Sequence, residues 1–175
     1  MRQKGEDQKT FRNILDKIAD GSFDEKLWKS LSNINSEKDI SQFQDAVKLC
    51  ALNKDSKSYN ILKIKDLENP IAPITAENKP SRARKFSANK AGGLQNKLIL
   101  CKECKVMLLA NIWKEKGLTN GANGYVKYIV YKEGEKPPQL PRFVLVYFPQ
   151  YTGPSFIPGQ DGIVPIEPLT GTWNE

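Results

Sequence analysis

The chain has 175 residues, 39% of them hydrophobic, with 27 Lys plus Arg against 20 Asp plus Glu, three cysteines and no histidine. Without histidine there is no Ser-His-Asp hydrolase, and Cys50, Cys101 and Cys104 fall short of the four ligands of a tetrahedral zinc site. No apolar run approaches the roughly 20 residues that cross a bilayer, and a net charge of +7 suits polyanionic partners, because cations that neutralise phosphates release counterions.

Met1 to Thr10 is polar and lacks the apolar centre of a secretory signal, so an intracellular site without membrane contact is expected. Phe11, Ile14, Leu15 and Ile18 follow at helical spacing, with Thr10 as a candidate cap and Gly21 as a stop. Ser22-Phe23-Asp24-Glu25 reads as a capping box opening a second helix whose apolar stripe is Leu27, Trp28 and Leu31. These two helices are expected to pack together as core.

The period changes after Asp45. Ala46 to Leu52 is a short apolar run suited to a buried strand of a parallel sheet, and Asn53-Lys54-Asp55-Ser56 is a capping-rich turn before a helix with Tyr59, Ile61, Leu62 and Leu67. Strand, turn and helix make half a βαβ unit. Beyond Asn69-Pro70, Ile71 to Thr75 is extended. Lys79, Arg82, Arg84, Lys85, Lys90 and Lys97 then lie among Pro, Ser, Ala, Asn and Gly with no apolar period, which reads as a loop or linker. It is either a solvated connection or a stretch of cations along a nucleic-acid backbone.

From Leu98 the chain becomes β-rich. The run to Trp113 is followed by an elbow with Gly117, Gly121 and Gly124, expected to supply positive φ angles, and then by Tyr125 to Tyr131. In that second run Val126, Tyr128 and Val130 alternate with Tyr125, Lys127, Ile129 and Tyr131, which puts Tyr128 on the face opposite Tyr125 and Tyr131. Arg142 to Phe148 repeats the pattern after the Glu133 to Pro138 turn, and three such strands can curl into a small closed barrel. Trp113, Tyr125, Tyr128, Tyr131 and Tyr151 are either core or base-stacking groups. Lys105, Asn111, Asn120 and Lys127 suit a surface, since burying them unpaired is costly. Cys101 and Cys104 form a single Cys-x-x-Cys in a β-rich run, away from any helix N-terminus, and read as two ordinary thiols. Tyr151 to Trp173 alternates Gly and Pro with short apolar pairs and reads as extended return chain. Carboxylates such as Asp24 with Glu25, or Glu133 with Glu135, sit in turns or helix starts and give no support to glycosidase chemistry.

Leu98, Leu100, Lys102, Val106-Met107-Leu108, Asn111 and Trp113, then Gly117-Leu118, Asn120-Gly121, Gly124 and Val126, resemble the barrel inserted into the second RecA-like domain of Pif-type DNA helicases, in the variant encoded by Helitron transposons. Leu140-Pro141, Val144, Val146, Phe148, Tyr151-Thr152-Gly153-Pro154, Val164-Pro165-Ile166, Pro168 and Trp173 continue the resemblance in order. It departs at Glu103 and Cys104, commonly Gly and Ala in that family. The resemblance implies an α/β fold: a partial RecA-like domain of P-loop NTPase type with an inserted SH3-like β-barrel. The implied division is 1–75 for a helical stretch and the first strand-helix unit, 76–97 for a basic linker, 98–150 for the barrel and 151–175 for the return segment.

The same resemblance implies a fragment of an ATP-dependent DNA helicase, nuclear, working in repair, recombination, telomere maintenance or transposition. Its partners would be single-stranded DNA and the remaining helicase parts encoded nearby. The DNA contacts implied for this piece are Asn60, at the asparagine position of the helicase motif, together with Lys79, Arg82, Arg84, Lys85, Lys90, Lys105, Asn111, Asn120 and Lys127. Asn60 equally suits a local hydrogen bond, and Leu52 stands where the family has Thr. ATP and Mg belong to the whole family enzyme. No Gly-x-x-x-x-Gly-Lys-Ser/Thr occurs, and the arginine finger and His-containing segment of the family are absent, so the chain alone is expected to bind neither cofactor, carry no catalytic or metal-binding residue and hydrolyse no ATP. A barrel serving as a non-catalytic interaction module, or a transposon-derived remnant, are the readings from other classes.

Overall fold

The computed structural model describes residues 5–6, 8–22, 24–31, 46–88 and 90–172, forming two compact units, Met1–Leu49 and Cys50–Glu175. Phe23 and Trp173, and the side chains of Trp28 and Leu31, lie outside what is described.

In the first unit α1 spans Lys9–Ala19 and α2 spans Glu25–Leu31. The cap of α1 is Gln8 and not Thr10, and α1 ends as expected at Gly21, where φ is 69° and the Ser22 N–H reaches back to the Lys17 carbonyl. Asp24 takes the capping role expected of Ser22, its carboxylate accepting the Leu27 N–H at 2.7 Å. No residue of α1 is buried, and Phe11, Leu15 and Ile18 are exposed. The expected α1–α2 core is therefore not reached by α1.

The next stretch, which spans the division at Leu49 and Cys50, departs from expectation. Residues 46–52 form no strand, and Val47, Leu49 and Leu52 are exposed, Leu49 to 92%. A parallel strand needs neighbours to satisfy its backbone groups, and among the described residues this run has no ladder partner. The helix α3 begins directly at Asn53 and runs to Asp66, with Leu52 as a cap lacking a side-chain hydrogen bond. Its Ile64 packs on the core while Ile61 and Leu62 stay exposed.

Among the described residues all strand pairing is antiparallel. β1 (Ile71–Thr75) pairs with β2 (Lys97–Cys101), and β3 (Lys105–Met107), β4 (Asn123–Val130), β5 (Phe143–Tyr147) and β6 (Ile163–Ile166) make a second sheet in that order. The expected closed barrel becomes an open sheet: β3 and β6 remain edges, one three residues long and the other carrying Pro165, both devices that limit further pairing. The two sheets share one core of Ile74, Leu100, Cys101, Cys104, Leu118, Val126, Val146, Phe148, Tyr151 and Val164. Backbone bonds hold them together, from Glu103 N–H to the Val126 carbonyl at 2.6 Å, from Val126 N–H to the Cys104 carbonyl at 3.0 Å, and from Thr75 N–H to the Pro138 carbonyl at 2.8 Å.

Two glycines of the elbow serve different ends. Gly117 has φ 86°, and a Cβ there would run into the Gln150 carbonyl oxygen. Gly124 departs from the expected positive φ and lies inside β4, where a Cβ would stand 2.6 Å from Val146 Cγ1 and 2.9 Å from Phe148 Cδ1. Its role is close approach within the core. Gly124→Ala is expected to cost about 1–3 kcal/mol through overpacking, read as a lower urea midpoint with an unchanged slope.

Candidate nucleic-acid interface

Residues 79–97 contain six Lys or Arg and no Asp or Glu, so this stretch alone carries +6, nearly the net +7 of the whole chain. Ser81–Lys85 forms a 3-10 turn with Ala83 buried at its centre, and Ala91 is buried further along. The fold adds to the linker reading a pair of asparagines that sequence reasoning passes over. Asn96 Nδ2 donates to the Arg84 carbonyl at 2.8 Å and the Phe86 carbonyl at 3.2 Å. Asn78 Nδ2 donates to Asn96 Oδ1 at 3.1 Å and the Ala76 carbonyl at 3.2 Å, while the Asn96 carbonyl accepts the Ala76 N–H. Asn78 and Asn96 flank the basic residues just beyond β1 and before β2. Lys79, Arg82, Arg84, Lys85 and Lys90 are consequently exposed on a turn tied to the β1–β2 ladder. Two amides closing a segment from both ends are the signal the sequence offers.

The other candidates divide. Asn60 is exposed on α3. Asn111 Oδ1 accepts the Asn120 N–H at 2.9 Å, so Asn111 braces the elbow that Leu118, 1% exposed, anchors in the core. Asn120 is exposed at that same elbow, and Lys105 is exposed on β3. Lys127 is engaged: its Nζ lies 2.8 Å from Glu103 Oε2 and 5.8 Å from the Tyr147 ring centre. Tyr151 is buried, its hydroxyl donating to the Pro154 carbonyl at 3.1 Å, which assigns the Tyr-Thr-Gly-Pro segment to packing. The Tyr131 hydroxyl is buried without a hydrogen-bond partner, and burial pushes its pKa up. Trp113 sits in a bridge to Leu118 and is partly exposed.

The alternation expected along β4 is overturned at Lys127. Val126 faces Val146 but Tyr128 faces Leu145, which leaves Lys127 as the extra residue of a β-bulge. An extra residue reverses the parity of everything beyond it. Tyr128 is thereby placed on the same face as Tyr125 and is 52% exposed, while Ile129 turns to the core. Nothing in the sequence marks the bulge, since Lys127 is not a glycine.

Cys101 and Cys104 are buried free thiols, and the Cys101 N–H donates to Cys104 Sγ at 3.4 Å. Burial pushes the Cys104 thiol up to about 11, outweighing the backbone hydrogen bond that favours the thiolate. Such a thiol is a weak nucleophile at neutral pH.

No family model and no curated protein matches the chain. Among solved structures it is similar to Bacteroides sp. Pif1 in complex with ADP-AlF4, with 20% sequence identity and a TM-score of 0.51. The likeness covers 85% of this chain and 30% of that one, so the chain spans less than a third of the Pif1 structure. It shows the fold alone: a mixed arrangement of helices and antiparallel sheets like that of part of the Pif1 structure.

Asn96→Ala is expected to loosen the Arg82 to Lys85 turn by removing its two amide bonds, seen as faster tryptic cleavage after Arg82, Arg84 or Lys85 with the rest of the second unit still protected. Cys104 keeps its proton in the folded state to about pH 11, whereas the unfolded thiol loses it near 9. The unfolded state then binds fewer protons, so stability falls as pH rises from about 9 to about 11. Thermal melts across that window should decline less for Cys104→Ala than for the native chain, relative to each at pH 8.

Proposed function

We propose that the chain is the DNA-holding part of a Pif-type, Helitron-like DNA helicase, in which it grips single-stranded DNA while ATP and Mg are bound and used by other parts of the enzyme. The observation that carries this reading is the clamped basic turn on a unit with the fold of part of Pif1. Phosphates repeat along a strand without regard to sequence, and exposed cations of one sign neutralise them without needing fixed base geometry. A motor that must hold any sequence has use for such a grip. Holding the turn against the β1–β2 ladder gives the cations a common platform that moves with the unit.

Within this reading Lys79, Arg82, Arg84, Lys85 and Lys90 are the phosphate contacts, with Asn60, Lys105 and Asn120 as further surface positions. Asn111 shapes the elbow that presents Asn120, and Lys127 acts through its contact with Glu103 and Tyr147. The family's nuclear work on replicating, recombining or transposing DNA is the setting we assign to the whole enzyme.

Anisotropy of a labelled single-stranded oligonucleotide against the purified chain, repeated over a salt series, tests the grip. The native chain should bind more weakly as salt rises. The triple variant Arg82→Gln, Arg84→Gln, Lys85→Gln should flatten the log–log slope by about 0.7 for each phosphate that is no longer neutralised. Absence of binding at low salt, or a slope unchanged in the variant, would sink the proposal.

A further inference from the structure

The bulge at Lys127 has a second product, on the side of the four-stranded sheet away from the core. Directly paired residues of an antiparallel sheet project to the same face. Lys105 pairs with Tyr125, Tyr125 with Tyr147, and Tyr128 with Leu145, so Tyr125, Tyr128 and Tyr147 share that outer face. The core face is filled instead by Val126, Val146 and Val164. Without the bulge, Tyr128 would point into the core.

Cations accompany the rings. Lys102 Nζ stands 5.6 Å from the centre of the Tyr128 ring and Lys127 Nζ 5.8 Å from that of Tyr147, while Lys105 occupies the edge-strand position of the Tyr125 row. Glu103 pairs with Lys127 at 2.8 Å beside this face. Tyr128 is half exposed, and Tyr125 and Tyr147 are partly so.

We propose that this face is a stacking platform for the bases of a single nucleic-acid strand. Tyr128 supplies the most accessible ring, Tyr125 and Tyr147 extend the platform across neighbouring strands, and Lys102 and Lys105 meet the backbone. An unpaired base offers a flat π surface that a tyrosine ring matches, and a cation beside the ring meets the adjoining phosphate, a combination neither a duplex nor an apolar peptide satisfies as well. The inference rests on the DNA-holding reading but assigns a different contact: the basic turn holds phosphates, and this face holds bases.

The test compares two labelled single strands of equal phosphate number, a dT12 oligonucleotide and a 12-unit abasic strand, on the intact chain. The platform predicts that dT12 binds about tenfold more tightly, a difference of about 1.4 kcal/mol. Tyr128→Leu should remove most of that preference without changing the salt slope, and Tyr128→Phe should keep it, since the ring and not the hydroxyl stacks. Tyr128 is exposed enough for both variants to fold, which circular dichroism would verify. Equal affinity for the two strands, or a preference that survives Tyr128→Leu, overturns the platform while leaving the phosphate grip intact. Failure of both strands to bind at low salt overturns the grip and the platform together. If the face is instead covered by a second copy, sedimentation would find a dimer that Tyr128→Leu dissociates, and the inference falls.

Discussion

The β-bulge at Lys127 is the constraint on which the second unit depends. A strand has one parity, and β4 must serve two partners whose demands conflict: near Val126 it seals the shared core beside Cys104 and Val146, and beyond Lys127 it must still present Ile129 inward. One unpaired residue reconciles them. The extra residue is also the one that reaches Glu103 and lies over Tyr147. With both side chains only partly buried, that ion pair contributes well under about 1 kcal/mol, so its value is directional. It holds the β2–β3 turn, where Glu103 adopts φ 63°, against the strand it must cover.

A comparable constraint shapes the basic turn. Six like charges in nineteen residues repel one another, and such a segment left to itself would expand. Asn78 and Asn96 oppose that expansion with neutral amide bonds to carbonyls, which are insensitive to salt, leaving the guanidinium and ammonium groups at the surface. Two buried alanines, Ala83 and Ala91, give this otherwise exposed stretch small apolar anchoring points.

Much of this is readable in the residues. The helix over Lys9–Ala19 and its stop at Gly21, the helix after Leu52, and the β-rich runs around the Gly117 elbow all emerge from periodicity and turn chemistry. What escapes reading has a common cause. Ala46 to Leu52 has the composition of a buried strand, but strand formation is decided by neighbours that composition does not contain. The bulge is decided by register, which no single residue of Tyr125 to Val130 announces, and so simple alternation puts Tyr128 on the face opposite Tyr125. Gly124 resembles a turn residue because its neighbours Gly117 and Gly121 are turn residues. Of the candidate contacts, exposed cations on the turn are legible by charge, whereas Asn111 and Lys127 are drawn into the fold's own bonding.

A grip made only of phosphate contacts has a physical weakness for a motor. Its strength falls steeply with salt, and it does not distinguish a strand already separated from one still in a duplex, since both carry the same phosphates. Base stacking supplies that distinction, because a π face is available only where pairing and neighbouring stacks have been given up. A unit that joins a clamped cationic turn to a tyrosine-bearing sheet face would therefore hold unwound strand in preference to duplex. That selectivity needs no reading of sequence and no catalytic group in this chain. On the proposed reading that selectivity falls to two surface features of the second unit, the turn from Lys79 to Lys90 and the outer face of β3, β4 and β5.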